Sequence, residues 1–377
     1  MRLPLALRLP RLFLLLCLCL PPLAWAQKVA FINPGKTDEA YWVTASQAMQ
    51  VAARSLGMTL QVHYAGRQHP RAFEIARSLV ALPAAQRPDY VVFSNDYATG
   101  PELLRIFDGS GIRCFMAFSS PTEQERHLTG APRERFRDWI GALEPRAQDA
   151  GYLTAKALIE KGRAVRAQGA DGKLHLIAIA GDRSTTSSIR RNEGLRRAVA
   201  EAPDVVLEQE VYAAWSREKA DEQAQWLYDR YPQARLVWAG SDQMAFGAMQ
   251  ALQARGGVPG RTVWFSAINT SREAMEALQS GRLAALAGGH FITGAWALVM
   301  IYDYHHGKDF AREGLELERP MFALFTPALA DVYLQRLGER FERADGHIDF
   351  RRYSKVHNPQ LRRYEFDFAQ LLEGARR

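Results

Sequence analysis

The residues that could do chemistry are an unusual mixture of flat and paired groups: Trp42, Trp215, Asn95, Arg191, Asp242 and Asn269, with Glu39 and His290 nearby. Amide, carboxylate and guanidinium groups present donors and acceptors side by side, while indole faces are apolar. A small polyhydroxylated ligand matches both, because each hydroxyl donates and accepts while the ring faces stay apolar. The set therefore suggests a sugar-like ligand more than a lipid. Tyr41 and Ser241 adjoin these positions, and Ser119, which follows the apolar run "RCFMAF", completes the candidate ligand set.

Each residue also has a purely structural reading. Trp42 at a helix start serves equally well as a staple to the core. Arg191 lies in "SSIRRNEGLRRA", where most arginines belong on a solvated face. Ser241 and Asp242 make an N-cap pair, and Asn95 and Asn269 suit turns. His290 fits a satisfied buried histidine. His305 and His306 precede Gly307 at a helix end, where dipole compensation explains them better than a metal does. No G-x-S-x-G, H-E-x-x-H, Walker loop or G-x-G-x-x-G is present. The expectation is a protein without catalytic residues, metal or cofactor.

What could position such a set is an alternation of strand-length apolar runs with segments of helical period, the pattern of parallel sheets covered by helices. In the first half the runs are "KVAFIN", "TLQVHY", "YVVFSN" and "RCFMAF"; in the second they are "LHLIAIAG", "VVLEQEVY", "ARLVWAG", "TVWFSAIN" and "RLAALAGG". Two α/β lobes in tandem, each with a doubly wound parallel sheet, is the simplest account. Ligands bind such sheets outside the carboxyl ends of the strands, where the candidate residues fall. "GHFITGAWALVMIYDYHHG" reads as a buried helix, too short and interrupted to span a bilayer.

The chain of 377 residues is long enough for two such lobes. Residues 1–26, "MRLPLALRLPRLFLLLCLCLPPLAWA", read as a secretory signal peptide cleaved after Ala26, which predicts a soluble periplasmic protein. Without that segment and its three arginines, 48 basic and 41 acidic residues become a net +4, a mild excess that does not suggest nucleic acid. The mature chain keeps only Cys114, which excludes an internal disulfide and reads as a core residue.

On these segments the chain resembles the type I periplasmic binding proteins of the ribose, galactose and autoinducer group, up to about Phe325. "PQARLVWAGSDQMAFGAMQALQARG" is similar to that family's strand, Asn-Asp turn and following helix. "GDRSTTSSIRRNEGLRRAV" is similar to the loop and helix that carry its ligand-binding arginine, and "FINPGKTDEAYWVTASQAM" to its first strand and aromatic-bearing helix. The resemblance implies that Tyr41 and Trp42 form one jaw of an aromatic clamp, Trp215 the other, and Arg191 the arginine between. Asn269 stands for a ligand-binding Asp, and Ser241 for the Asn beside Asp242. Glu39 replaces an Asn, Ser119-Ser120 an Asp-Arg pair, and Gly289 a Gln, leaving His290 as its substitute.

The same resemblance implies three crossovers, near Gly141 to Pro145, at Gly289-His290 and near Leu324 to Pro327. The lobes would then be residues 27–142 plus 290–325, and 143–289 plus 326–377 with a C-terminal extension. It further implies a monomer that presents its ligand to an inner-membrane ABC permease or, in a LuxP-like alternative, to a membrane sensor kinase or cyclase. An exported enzyme using Glu39, Asp242 or His290, or a DNA-binding repressor of the same fold, fits less well, lacking a motif and a helix-turn-helix respectively.

Overall fold

The structure is a computed structural model that describes residues 26–338, 341 and 348–374. The leader reading therefore lies outside the described residues, apart from Ala26. Two sheets of six strands account for the chain. The first has the order β2-β1-β3-β4-β5-β11, built from β1 (Lys28–Asn33), β2 (Thr59–Tyr64), β3 (Tyr90–Phe93), β4 (Arg113–Ala117), β5 (Trp139–Pro145) and β11 (Glu316–Arg319). The second has the order β7-β6-β8-β9-β10-β12, built from β6 (Leu174–Ala180), β7 (Val205–Tyr212), β8 (Leu236–Ala239), β9 (Trp264–Ile268), β10 (Ala285–Gly288) and β12 (Ala323–Leu324). All pairings are parallel except β10 with β12. The first strand of each lobe lies second from the edge, so the order reverses beside it, which creates the crevice where such sheets bind ligands.

Alternation along each strand explains the layers, since successive side chains point to opposite faces. In β1, Val29 and Phe31 pack with α1 (Ala40–Leu56), while Ala30 and Ile32 pack with α2 (His69–Ala81) and α3 (Gly100–Phe107). A short α4 (Arg126–Thr129) follows. In β6, Leu176 and Ala178 pack with α5 (Ala147–Ala164) and α6 (Thr186–Ala200), and Ile177 and Ile179 face α7 (Arg217–Arg230), α8 (Asp242–Ala254) and α9 (Arg272–Gln279). The expected buried helix is α10 (Thr293–His305), buried at every residue from Thr293 to Ile301 and packed beside α1. Cys114 is buried in β4, and burial pushes its thiol up, so it is a core residue.

The chain passes between sheets after Pro145, at Gly289 to Ile292, and between Arg319 and Ala323. The third passage comes earlier than the expected Leu324 to Pro327, because Ala323 and Leu324 already pair antiparallel with β10. Strands β5 and β11 were absent from the expected apolar runs. Gly141 interrupts the first, and its missing side chain makes room for Phe310, whose ring would lie 2.6 Å from an added Cβ. The second, "ELER", is an edge strand with charged residues on its open side.

The tail also departs from expectation. The resemblance puts residues 326–377 with the second lobe, and α11 (Pro327–Val332) does pack against α9 there. From Ile348 onward, however, the described tail lies on the first lobe against α1 and α10, because Asp303 of α10 is a buried carboxylate whose hydrogen bonds come from the tail. The last described element is α12 (Phe368–Gly374). Among the described residues no helix is long and apolar enough to cross a membrane, and no group of side chains could hold a metal ion.

Candidate functional site

Each lobe seats one tryptophan against a glycine just beyond its first strand. In the first lobe Asn33 fixes the turn after β1: its Nδ2 donates to Trp42 O (3.1 Å) and Ser46 Oγ (2.9 Å), and its Oδ1 accepts from Gly35 N (2.8 Å). A Cβ on Gly35 would lie 2.2 Å from the Trp42 ring, so only glycine lets the indole settle there. In the second lobe a Cβ on Gly181 would lie 2.3 Å from the Trp215 ring. Trp215 Nε1 donates to Asp182 Oδ2 (2.7 Å), which sets the orientation of that ring. Burial works against ionisation of Asp182, but hydrogen bonds from Thr185 and Ser184 outweigh it and hold the carboxyl below its usual range.

Both tryptophans line one cavity between the lobes. Glu39, Tyr41, Arg191, Ser241, Asp242, Asn269 and His290 line it too. The structure thus brings together nine of the expected residues, counting Trp42 and Trp215. Asn95 and Ser119 are not among the lining residues. Asn95 is fully buried and its amide is spent on the fold, with Nδ2 donating to Ser120 O (3.2 Å) and Glu125 Oε2 (3.1 Å) and Oδ1 accepting from Gly100 N (2.7 Å). Ser119 is fully buried as well, behind the wall.

Arg191 is the unusual group. It is buried at 5% exposure and forms no ion pair among the described residues. Its Nη1 donates to Gly240 O (2.7 Å) and its Nη2 to His290 Nε2 (2.8 Å), while Nε has no partner. Burial pulls its proton affinity down to about 10. His290 is held neutral by burial and by the neighbouring Arg191, its pKa lying well below the usual imidazole value. With Nε2 accepting from Arg191, the proton sits on Nδ1, which is buried and unpartnered. The imidazole is stacked between Tyr41 and Phe322, with centroids 4.6 Å away on either side. Trp42 Nε1 is a third buried N–H without a partner.

The second-lobe floor is a cap and a cross-link. Ser241 Oγ accepts from Met244 N at the start of α8, and Asp242 Oδ1 accepts from Asn269 Nδ2 (2.8 Å) and Gln243 N (2.8 Å). Burial raises the Asp242 carboxyl. Asn269 holds φ at +136°, a left-handed conformation it shares with the lining residues Arg67, Phe118 and Trp215. Such conformations cost about 1–3 kcal/mol each and gather where a site requires them.

Arg67, Asp96 and Thr185 also line the cavity, although none of them is among the residues that the sequence selects. Arg67 lies in the loop after β2, a carboxyl end that the strand-end rule covers equally. It forms an ion pair with Glu39, where its Nε donates to Oε2 (3.0 Å), and its Nη1 donates to Asp96 Oδ2 (3.3 Å). Burial opposes the Arg67 charge, but Glu39 and Asp96 outweigh it and raise its pKa. Burial lifts the Asp96 carboxyl to about 6 in spite of Arg67. The lobes touch beside the cavity: Thr186 Oγ1 donates to Ser120 O (2.6 Å), and Tyr97 N donates to the lining residue Thr185 at Oγ1 (3.1 Å).

Comparison with known proteins agrees with this architecture. The model of the periplasmic binding protein domain matches residues 29–309. A periplasmic sugar-binding protein from Pseudomonas fluorescens is 38% identical, with 92% of this chain and 99% of that one covered and a TM-score of 0.79. The periplasmic binding component of the arabinose ABC transporter from Shewanella sp. ANA-3, bound to α- and β-L-arabinofuranose, shares the fold at 18% identity, 85% and 99% coverage and a TM-score of 0.68. An ABC-transporter solute-binding protein from Actinobacillus succinogenes 130z with bound D-allose does so at 16% identity, 82% and 100% coverage and the same TM-score of 0.68. No curated protein sequence matches. The extent of the family match and the identity over nearly the full length of both chains make this chain a member of the periplasmic binding protein family, with its type I fold.

Proposed function

We propose that this chain captures a small sugar-like ligand between its lobes in the periplasm, after removal of residues 1–26, and presents it as a monomer to an inner-membrane ABC permease. The observation that carries the reading is the pair of tryptophans, Trp42 and Trp215, one from each lobe, lining one cavity with the buried Arg191. Their faces would take the apolar faces of a sugar ring. The unpartnered N–H groups of Trp42, Arg191 and His290 would donate to its oxygens, and Tyr41, Ser241, Asp242 and Asn269 would complete the shell. Glu39, held by Arg67, would close the first-lobe side. The sugars bound by relatives of this fold support the ligand class.

A thermal-shift screen against D-galactose, L-arabinose, D-allose, myo-inositol and wider sets of sugars, polyols and autoinducers tests it. A ligand at about 100 times its Kd stabilises the folded chain by about 2.7 kcal/mol, so a hit gives a clear rise in Tm. Silence across the whole screen contradicts the reading.

A further inference from the structure

The tail is the part of the molecule that the ligand cavity leaves unexplained. It is anchored on α10 at Asp303, whose buried carboxylate accepts from Ser354 Oγ, Lys355 N (2.6 Å), Val356 N (3.2 Å) and Tyr364 Oη (2.8 Å). Phe366 stacks on Trp296 of the same helix, with centroids 5.1 Å apart. From that anchor the chain runs to two of the three passages between the lobes. Arg319 Nε donates to Tyr364 O (2.8 Å), and Phe368 N donates to Pro320 O (3.4 Å), both at the third passage. The Phe368 ring lies 5.8 Å from Phe291 and covers Gly289, both in the second passage; a Cβ on Gly289 would meet its Cδ1 at 2.1 Å.

Gly289 has φ +123° and directly precedes His290, the imidazole that takes the Arg191 hydrogen bond inside the cavity. On the other side of that imidazole stands Phe322, from the third passage. Phe368 therefore touches both chain segments that place His290. We propose, building on the ligand-capture reading above, that Phe368 is a positioning residue: by filling the space over Gly289 and binding Pro320 it holds His290 toward Arg191 and biases the lobes toward the closed arrangement. Hinge motion is absorbed by a few residues in the passages, so a contact spanning two of them weights the arrangement seen here, in which the lobes meet at Thr186 with Ser120 and at Tyr97 with Thr185. A ligand that needs the closed form then binds more tightly in proportion to the closed population.

The test compares full-length Phe368→Ala with Phe366→Ala, which removes an equally buried aromatic from the same tail but packs on Trp296 of α10 and, within the tail, on Tyr353 and Tyr364. Titration calorimetry with the sugar that most stabilises the wild-type chain, and small-angle X-ray scattering of the ligand-free protein, are the two readouts. Phe368→Ala is expected to weaken binding about tenfold and to enlarge the ligand-free radius of gyration, whereas Phe366→Ala lowers Tm and changes neither. Wild-type values of either quantity in folded Phe368→Ala, or the same changes in Phe366→Ala, overturn the proposal. Should Phe368→Ala fail to fold, Phe368→Leu decides by the same readouts. Should no sugar bind the wild-type chain, that failure belongs to the ligand-capture reading, and the scattering comparison decides alone.

Discussion

At the scale of single residues, Arg191 separates binding from stability. Its charge is buried without an ion pair, so its removal relieves a desolvation cost while giving up hydrogen bonds to Gly240 and His290. Arg191→Met is expected to change the denaturation free energy by less than about 1 kcal/mol and to weaken ligand binding roughly thirtyfold, about 2 kcal/mol, by urea titration and calorimetry respectively. Trp42 cannot serve the same purpose, because at 2% exposure it packs on Phe31 and Phe118 and its truncation costs about 3–5 kcal/mol of stability. Asp96 gives a pH signature. Burial raises its carboxyl from 3.8 to about 6, so the folded chain holds that proton more tightly than the unfolded chain does. The stabilisation, roughly 3 kcal/mol, is complete below about pH 4 and is lost as pH rises through about 6. Asp96→Asn should remove that decline from urea titrations stepped over this window; an unchanged slope contradicts it. Residues such as Trp42, Trp215 and Arg191 are legible because the strand-end rule and the family resemblance both select them. Asn95 and Ser119 obey the same rule yet lie outside the cavity, since hydrogen-bond direction, which turns the Asn95 amide toward Ser120 and Gly100, is not written in local sequence.

At the scale of elements, the close approach of α5 and α6 decides where Arg191 stands. A Cβ on Gly151 would lie 1.9 Å from Arg191 O, and one on Gly194 would lie 2.1 Å from Gln148 O, so the two helices cross through their glycines. Gly151→Ala is therefore expected to push α6 outward, costing about 1–3 kcal/mol in chemical denaturation and weakening ligand binding as well. Binding at wild-type strength in this variant would show that Arg191 is not fixed by the helix contact. Most strands and helices could be read from period alone, because both faces of the inner strands are covered and their apolar runs are continuous. β5 and β11 escaped that reading, one broken by Gly141 and the other an edge strand with Glu316 and Glu318. The tail escaped it for another reason: Phe366 on Trp296 and Tyr364 on Asp303 are contacts between distant parts of the chain, without a local period to announce them.

At the scale of the whole molecule, the two lobes are joined by three passages and face one cavity whose walls carry opposite halves of one site. Arg67 with Glu39 and Asp96 stiffens the first wall; Asp182 with Trp215, and Asp242 with Asn269, stiffen the second. Closure then needs only hinge motion, because each wall is preassembled within its own lobe, and the lobes are latched together by Thr186 on Ser120. Thr186→Ala should loosen that latch and raise the ligand dissociation rate several-fold in stopped-flow fluorescence, with little change in Tm; an unchanged rate would remove the latch from the account. The central claim is that this cavity holds a sugar-like molecule. The most direct measurement is mass spectrometry of whatever is released when the purified protein is denatured, run in parallel on the wild-type chain and Arg191→Met. The account predicts a small polyhydroxylated compound from the wild type and its loss from the variant; a compound of another class, or equal recovery from both, contradicts it.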